Sequence, residues 1–269
     1  MIKVVVTGAA GRMGIRIINV LATCEGVVLS GALERSGHPL LGSDVQGLVG
    51  LPSREDIILI SDDVVAALGK GDVLIDFTSP EATLAHIQVC SELGKPIVIG
   101  TTGFTKGQME KIQQYAKSIP CMLSPNMSIG VNLCFKILSE IAKTIGNDYD
   151  MEIVETHHHS KKDAPSATAI KMGQILSQAV KRNFDEVGVY SRKGLIGERT
   201  KKEIGIQTLR AGDIVGEHTV LFAGTGERIE LTHRAHSRDT FAAGAIRAVK
   251  WIVSARPGLY DMQDVLGLK

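Results

Sequence analysis

Residues 1–34 decide the fold, and they read MIKVVVTGAAGRMGIRIINVLATCEGVVLSGALE. The β-branched run Ile2–Thr7 leads into the glycine-rich segment Gly8–Gly14. Ile15–Thr23 then has the apolar spacing of a helix, and Val27–Leu33 has that of a second strand, followed by an acidic residue. This order predicts the strand, loop, helix and strand of a Rossmann-like dinucleotide-binding unit.

The glycine-rich segment has its glycines at positions 8, 11 and 14, a GxxGxxG spacing rather than the commoner GxGxxG. Glycines let the backbone approach a pyrophosphate closely, and the N-terminus of the following helix favours its negative charge. The alternative is a tight turn without a ligand, but the flanking strand and helix favour a dinucleotide loop. The expected cofactor contacts in this segment are Gly8, Ala9, Ala10, Gly11, Arg12 and Met13.

Two charged residues follow the second strand. Glu34 stands 20 positions after the last glycine, where an acidic side chain accepts hydrogen bonds from the adenosine ribose hydroxyls. Arg35 beside it suits the 2′-phosphate of NADPH. The alternative for both residues is a solvated charge at a strand end. We expect a site that accepts NADH and NADPH.

The composition is that of an ordinary globular protein. Of 269 residues, 44% are hydrophobic and 22% are charged, and the formal net charge is +1. A chain of this length forms one large or two modest domains, and its balanced charge argues against a broad nucleic-acid-binding face. The apolar run at the N-terminus is far shorter than the roughly 20 residues of a membrane span, and no signal peptide or anchor is recognised. We expect a cytoplasmic protein without a nucleic-acid or membrane partner.

The four cysteines do not have the CxxC spacing of metal or redox sites. Each lies in an apolar segment, which favours reduced core thiols over a disulfide or metal framework. These residues are Cys24, Cys90, Cys121 and Cys134.

Strand and helix patterns alternate after the first unit and predict a doubly wound, mostly parallel sheet with helices on both faces. Ser36–Gly50 resembles a loop and suggests no chemistry. Ligands bind such sheets at the carboxyl ends of the strands, where three loops are expected at 76–79, 100–103 and 124–127. The predicted elements are Asp56–Ile60, Val64–Leu68, Val73–Phe77, Glu81–Leu93, Pro96–Ile99, Lys106–Lys117 and Cys121–Leu123.

The second half of the chain has a different pattern. A long amphipathic helix is expected over Ser128–Ile145 and another over Ala169–Arg182. Three strand-like runs then follow with glycine turns between them, at 204–209, 218–222 and 228–233. Consecutive strands without helices between them predict a smaller α+β domain with an antiparallel or mixed sheet. Helical periodicity returns at Phe241–Ser254.

Residues 155–168 read ETHHHSKKDAPSAT and concentrate titratable side chains between an apolar strand, Met151–Val154, and a helix expected to begin near Pro165. Strand alternation would place His157 and His159 on one face and His158 on the other. Asp163 followed by Pro165 has the chemistry of a helix start, whose N–H groups attract anions. The segment therefore predicts proton donors, a cation and an anion site close together.

The order His157-His158, Lys161 and Asp163–Thr168 resembles the signature of the dihydrodipicolinate reductase family, nicotinamide-dependent reductases of the diaminopimelate route to lysine. Ile99–Gly103, which reads IGTTG, and Arg210–Thr219 are also similar to segments of that family. With the glycine loop included, the resemblance spans nearly the whole chain.

The resemblance implies the roles of further residues. His157 and Lys161 are expected to handle the proton, and His158, Ser166, Ala167 and Thr168 to hold the carboxylates of a small anionic dicarboxylate substrate. The further cofactor contacts that it implies are Gly100, Thr101, Thr102, Ser124, Pro125, Asn126 and Met127. The family usually has glycine at the position of Ala167 and a small residue at that of Pro125.

The resemblance also implies an architecture and a reaction. A discontinuous dinucleotide-binding domain is expected over 1–127 and 238–269, and a substrate-binding and oligomerisation domain over 128–237. The protein would be a homotetramer that assembles through the sheet of the second domain. The expected reaction is the NAD(P)H-dependent reduction of 4-hydroxy-tetrahydrodipicolinate, with loss of water.

Three alternatives remain open at this stage. His157, His159 and Asp163 could hold a metal ion, but a catalytic zinc site needs three fixed ligands with a second shell, and we expect none. His159 and Lys162 have no role in the family and are expected at the surface. The chain could instead be another two-domain nicotinamide enzyme, such as an aspartate or homoserine dehydrogenase, or a sensor that binds NAD(H) without turnover.

Overall fold

The computed structural model describes residues 1–50 and 57–269. The chain divides into two compact units, one formed by Met1–Ile129 with Arg238–Lys269 and one by Gly130–Ser237. The strand expected at Asp56–Ile60 falls partly outside the described residues, and the strand seen there is Ile60–Ser61. No helix in the described part of the chain is long and apolar enough to cross a membrane.

The elements before residue 124 are β1 (Ile2–Thr7), α1 (Arg12–Thr23), β2 (Val27–Leu33), α2 (Val45–Val49), β3 (Ile60–Ser61), α3 (Val64–Lys70), β4 (Val73–Asp76), α4 (Pro80–Glu92), β5 (Ile97–Ile99), α5 (Lys106–Tyr115) and β6 (Pro120–Leu123). Next come α6 (Ile129–Ile145), β7 (Asp150–His157), α7 (Ala167–Ala179), α8 (Phe184–Val187), β8 (Gly188–Val189), β9 (Ile204–Arg210), β10 (Gly216–Ala223) and β11 (Arg228–Ala235). The last are α9 (Asp239–Ile252), β12 (Gly258–Tyr260) and α10 (Met262–Val265).

The first unit is built on a parallel sheet of seven strands in the order β12-β6-β5-β4-β1-β2-β3. On β1, Val4 and Val6 pack in one apolar cluster with α1 and α9, while Val5 packs in another with α3, α4 and α5. Alternating side chains of a strand point to opposite faces, so helices cover both faces of the sheet. The predicted Rossmann-like class is confirmed.

The order of the strands reverses between β1 and β4, since β2 follows β1 on one side of the sheet and β5 follows β4 on the other. In open α/β sheets a ligand binds outside the carboxyl ends of the strands at such a reversal. The loop after β1 is the glycine-rich segment, and the loop after β4 begins at Phe77. The topology therefore brings both loops to the edge where a dinucleotide is expected.

The second unit has a mixed sheet of five strands in the order β11-β10-β7-β9-β8. β7 at its centre runs antiparallel to β10 and parallel to β9. Met151 and Ile153 of β7 pack with apolar side chains of α6 and α7, such as Leu138 and Leu176, so these helices cover one face. The α+β class with a mixed sheet is confirmed, although the two-residue strand β8 was not predicted.

The junction between β7 and α7 differs from the sequence prediction. β7 extends to His157, and α7 begins only at Ala167. The hydroxyl of Ser166 accepts a hydrogen bond from the Ala169 N–H at 3.2 Å, so Ser166 is the N-cap. Asp163 is not the cap, because its carboxylate bonds Lys161 instead. His158 and His159 lie beyond the strand, so strand alternation does not apply to them.

The helix after the glycine loop also begins earlier than expected, at Arg12 rather than Ile15. Gly8 adopts a positive φ of 61°, which turns the chain sharply, and Gly11 then serves as the N-cap. Gly14 therefore lies inside the first turn of α1. The packing of this turn on the preceding loop explains the third glycine.

Candidate functional site

The second unit contains a buried carboxylate at the centre of its polar residues. Glu155 on β7 is 0% exposed. Its oxygens accept hydrogen bonds from Nδ1 of His157 at 2.6 Å, from both terminal nitrogens of Arg210 at 2.9 and 3.0 Å, and from the Ser166 N–H at 2.9 Å. The Thr208 hydroxyl adds a longer one at 3.3 Å. Glu155 thus connects β7, β9 and the loop before α7.

These contacts determine the charge of Glu155. Burial by itself would raise the pKa of the carboxyl group. The hydrogen bonds from His157, Arg210 and the Ser166 N–H outweigh burial and lower the pKa to about 2. The carboxylate is therefore anionic at neutral pH, and it can only accept hydrogen bonds.

His157 lies at the carboxyl end of β7, and its side chain is 12% exposed. Since Glu155 is an anionic acceptor, the short contact between them places a proton on Nδ1 of His157. Nε2 lies over Gly216, where an added Cβ would come within 3.0 Å of it. The glycine leaves room for the imidazole, and Nε2 is the nitrogen that remains for proton exchange.

Lys161 follows in the loop after β7, with its side chain 20% exposed. Its ammonium donates to both carboxylate oxygens of Asp163 at 2.8 Å. The hydrogen bond and charge of Lys161 lower the pKa of the Asp163 carboxyl group. Arg210 also donates to the backbone carbonyl of Asp163 at 2.7 Å. Arg210 therefore ties the loop to Glu155, in addition to the Ser166 N–H.

The N-terminus of α7 adjoins this group. Ser166 is buried, its N–H donates to Glu155, and its hydroxyl shares a hydrogen bond with Nε2 of His218 at 2.9 Å. Ala167 and Thr168 form the first turn of α7, at the helix end where backbone N–H groups point outward. In the described part of the chain Lys181 is the only non-glycine residue with a positive φ. Ala167 therefore needs none of the conformational freedom of the glycine that the family usually has there.

His218 is a buried histidine that sequence analysis did not assign. It stands on β10 beside Glu155 in the strand register, and its ring meets that of His157 edge to face with centroids 5.2 Å apart. Burial, followed by the neighbouring charge of His157, lowers the pKa of His218 to about 3. His218 is therefore neutral at physiological pH and supports Ser166 without adding charge.

The remaining residues of the segment lie further out. His158 is half-buried, whereas His159 and Lys162 are exposed, as expected. Nδ1 of His159 bonds the carbonyl of Gly212 at 2.8 Å. No group of three or more potential metal ligands occurs among the described residues. His159 and Asp163, the other members of the alternative metal set, each have a different partner from His157.

In the first unit, the glycine loop has the geometry of a phosphate site. Gly11 caps α1 without a side-chain hydrogen bond, so the N–H groups of the first turn face outward from the helix end. An added Cβ at Gly14 would overlap the Gly8 carbonyl oxygen and lie 2.7 Å from Cα of Ala9. The loop and helix are thus in direct backbone contact, which fits the close approach that a pyrophosphate requires.

A cavity of about 210 Å³ lies at the carboxyl ends of β1 and β2. Glu34 and Arg35 line it together with Gly8, which brings three predicted cofactor contacts to one place. Oε1 of Glu34 accepts a hydrogen bond from the Ala10 N–H at 3.0 Å. His86 of α4 also lines the cavity, and its Nδ1 lies 2.7 Å from the buried carboxylate of Asp76. Sequence analysis missed His86 because nothing in its helix marks it.

A second cavity contains the predicted loop after β6. Ser124, Pro125, Asn126 and Met127 line it together with Met13 of α1. The other lining residues are apolar: Phe77 belongs to the expected loop at 76–79, and Phe241 was not predicted.

Gly244 explains how α9 approaches this loop. A Cβ at that position would overlap the carbonyl oxygen of Met127. The glycine therefore lets the helix pack directly on the backbone of the loop.

The loop after β5 contains three predicted contacts with different surroundings. Thr101 is buried, and its hydroxyl accepts hydrogen bonds from the Thr78 N–H and the Thr83 hydroxyl, both at 2.9 Å. A Cβ at Gly100 would overlap the ring of Phe77. Thr102 is exposed. The side chain of Thr101 thus holds the loops after β4 and β5 together.

Comparisons with known proteins agree with this arrangement. Residues 2–127 match the family model described as dihydrodipicolinate reductase, N-terminus, and residues 130–266 match the model of its C-terminus. The chain belongs to the dihydrodipicolinate reductase family. It is therefore a nicotinamide-dependent oxidoreductase of the diaminopimelate route to lysine.

Curated relatives are similar over their full length. The 4-hydroxy-tetrahydrodipicolinate reductase of Syntrophus aciditrophicus is 56% identical over 269 residues, and the protein of the same name from Geotalea uraniireducens is 55% identical; both alignments cover 100% of each chain. The family assigned from the three sequence segments is confirmed.

Solved structures share the fold. The dipicolinate-bound dihydrodipicolinate reductase of Paenisporosarcina sp. TG-14 has a TM-score of 0.75 at 24% identity and covers 98% of both chains. A diaminopimelate dehydrogenase of C. glutamicum has a TM-score of 0.53 at 12% identity and covers 97% of this chain and 92% of its own. At these identities the similarity concerns the fold alone.

Proposed function

We propose that the chain reduces 4-hydroxy-tetrahydrodipicolinate to tetrahydrodipicolinate with NADH or NADPH, and that water is lost. The observation that carries the proposal is the joining of His157, Lys161 and the start of α7 around buried Glu155 in a chain that also has a dinucleotide loop. The full-length relatives bear the name of this reductase. The related structure with bound dipicolinate supports a small anionic dicarboxylate as substrate.

The first unit would hold the cofactor. The glycine loop and the uncapped start of α1 suit the pyrophosphate, and Glu34 and Arg35 suit the adenosine ribose. The loops at 100–102 and 124–127, with Met13, would form the wall for the nicotinamide half. The bound nicotinamide supplies a hydride.

The second unit would hold the substrate. The N–H groups of Ala167 and Thr168 stand at the positive end of the α7 dipole, which attracts a carboxylate. His158 would add a donor beside them. Ser166 would act indirectly, as the N-cap that positions the start of α7. Its N–H and hydroxyl already bond Glu155, Ala169 and His218.

Lys161 would donate the proton that completes the reduction. Its ammonium has three N–H donors, and the contacts with the two oxygens of Asp163 leave at least one of them for the substrate. The side chain is only 20% exposed. His157 would accept or donate a proton at Nε2 and tune the charge around the substrate. A positioned acid of this kind contributes about 10²- to 10⁴-fold to the rate.

Glu34 and Arg35 would let one cavity accept both cofactors. The carboxylate of Glu34 favours the ribose diol of NADH, and the guanidinium of Arg35 favours the 2′-phosphate of NADPH. The active protein would be a homotetramer in the cytoplasm, without a metal ion. The assembly follows the family resemblance, and the location fits the four cysteines, all of which are free.

The proposal is tested by steady-state oxidation of NADH and NADPH with the purified protein. Substrate is formed in place from pyruvate and aspartate semialdehyde by the preceding synthase. Oxidation that requires the synthase supports the reductase, and Arg35→Ala should lower kcat/KM for NADPH more than for NADH. Cofactor binding without synthase-dependent oxidation would contradict the proposal and favour the sensor alternative.

A further inference from the structure

The charge of Glu155 has no role in the reaction as proposed so far. Burying a carboxylate is costly unless it is paired and hydrogen-bonded, and Glu155 accepts five hydrogen bonds inside the unit. We propose that Glu155 and Arg210 form a positioning pair that determines which nitrogen of His157 exchanges the proton. The inference rests on the proposed function only in that His157 handles a proton.

The first step is the tautomer of His157. A carboxylate without a proton can accept but not donate, so the 2.6 Å contact requires a hydrogen on Nδ1 of His157. In neutral His157 the lone pair is then on Nε2, the nitrogen that faces Gly216. Without a fixed acceptor at Nδ1 the ring would distribute between two tautomers, and only one of them presents the basic nitrogen at Nε2.

The second step is the balance of charge. The two terminal nitrogens of Arg210 meet the two oxygens of Glu155, a bidentate pair that largely compensates both charges. Glu155 alone would hold the imidazolium of His157 strongly, because opposite charges attract more in a dry environment. With Arg210 present, Glu155 serves His157 as a compensated hydrogen-bond acceptor rather than as an unpaired buried charge.

The third step connects Lys161 to the same pair. Arg210 donates to the carbonyl of Asp163, and the carboxylate of Asp163 accepts two hydrogen bonds from Lys161. A displacement of Arg210 therefore shifts the partner of Lys161 as well as that of His157. His218 also faces His157, and it is neutral at physiological pH and contributes no charge.

The test uses Glu155→Gln and the double variant Glu155→Gln with Arg210→Met. The single variant leaves Arg210 without its carboxylate, whereas the double variant removes both charges and so avoids a buried unpaired cation. Glu152→Gln is the matched control. Glu152 lies on the same strand and, like Glu155, accepts hydrogen bonds from arginine, in its case Arg192 and Arg199, but it has no hydrogen bond with His157.

Two measurements are made on each folded variant. Nitrogen NMR of ring-labelled histidine should show His157 with its hydrogen on Nδ1 in the parent and the Glu152 variant, and a mixture of tautomers in the Glu155 variants. Turnover should fall about 10- to 100-fold in the Glu155 variants, part of the contribution of a general acid or base. The pH profile of kcat/KM should move in Glu155→Gln, which leaves the Arg210 cation unpaired beside His157, and should move less in the double variant, which removes both charges.

An unchanged His157 tautomer in either folded Glu155 variant, together with an unchanged pH profile in Glu155→Gln, would overturn the inference. If Glu155 had a purely structural role, its substitution would lower the stability of the protein without changing the His157 tautomer or the pH profile of kcat/KM. The NMR measurement needs neither cofactor nor substrate. If the parent protein does not oxidise NAD(P)H, the proposed function fails, while the tautomer measurement still decides whether Glu155 positions His157.

Discussion

Lys161 and Lys162 are neighbours in sequence with different surroundings. The ammonium of Lys161 is held by the Asp163 carboxylate and its side chain is only 20% exposed, whereas Lys162 is exposed. Both residues have the same charge and the same chain length. They therefore form a natural pair for separating a local chemical role from a general effect of charge.

We predict that Lys161→Ala lowers kcat by about 100-fold or more, because the reaction loses a positioned proton donor. The Kd for NADH should stay unchanged, since the residues that would bind the cofactor belong to the other unit. Lys162→Ala should change neither quantity. Stopped-flow turnover and fluorescence titration of NADH measure the two effects, and an unchanged kcat for Lys161→Ala would remove this lysine from the mechanism.

The site could be predicted from sequence only where its residues are close along the chain. His157, His158 and Lys161 form one recognisable segment, and the structure places them in or after β7. Arg210 and His218 reach Glu155 through the register of β9 and β10 with β7. Sequence similarity indicated that the segment Arg210–Thr219 belongs to the family. It did not predict the contacts of Arg210 and His218 with their partners, because strand register is set by tertiary packing.

At the scale of elements, the contact between the glycine loop and α1 depends on the missing side chain of Gly14. The Cβ of an alanine would overlap the carbonyl oxygen of Gly8 and crowd Cα of Ala9, both backbone atoms. Gly69 in α3 is also a helical glycine of the first unit, but a Cβ there meets no atom within 4 Å.

We predict that Gly14→Ala destabilises the protein by about 1–3 kcal/mol and weakens NADH binding, because the loop must move to admit the methyl group. Gly69→Ala should leave the Kd unchanged and stabilise α3 by up to about 1 kcal/mol, since alanine is the better helix former. Thermal unfolding and NADH titration provide both numbers. Equal NADH affinity in the two variants would show that the loop geometry is not needed for the cofactor.

Glu155 and His218 occupy adjacent positions on β7 and β10, and both make the second unit sensitive to acid. The pKa of His218 is about 3 in the folded protein against 6.5 ordinarily, so the unfolded chain binds the proton first as the pH falls. The pKa of Glu155 is about 2 against 4.5, with the same sign. Stability from His218 is therefore lost from pH 6.5 downward, and stability from Glu155 from pH 4.5 downward.

We predict that the free energy of unfolding falls with decreasing pH by up to about 1.4 kcal/mol per pH unit for each group within its window. His218→Gln cannot titrate, so the slope between pH 6.5 and 4.5 should flatten. His236→Gln, at an exposed histidine, is the control and should keep the slope. Urea unfolding at a series of pH values measures it, and an unchanged slope in His218→Gln would contradict the burial of a neutral histidine.

Element boundaries were harder to predict than element types. The start of α7 was expected near Pro165 with Asp163 as the cap, but Ser166 is the cap and Asp163 bonds Lys161. Aspartate and serine both cap helices well, so composition could not distinguish them. The local ion pair with Lys161, two residues away, engages the Asp163 carboxylate, and Ser166 accepts a hydrogen bond from the Ala169 N–H as the cap.

At the scale of the whole molecule, the pattern of the chain predicted the fold class. Alternating strands and helices gave the parallel sheet of the first unit, and consecutive strands gave the mixed sheet of the second. The pairing of β7 with both β9 and β10 could not be predicted, because it depends on tertiary packing. The short strands β8 and β12 could not be predicted either, because two or three residues have no measurable periodicity.

The central claim is that the chain transfers hydride from a nicotinamide to the ring of 4-hydroxy-tetrahydrodipicolinate. The most direct test uses NADH carrying two deuterium atoms at C4 of the nicotinamide, with the synthase supplying substrate, and mass spectrometry of the product. We expect tetrahydrodipicolinate that carries one deuterium, in an amount equal to the NADH consumed. Product without deuterium, or NADH consumed without product, would contradict it.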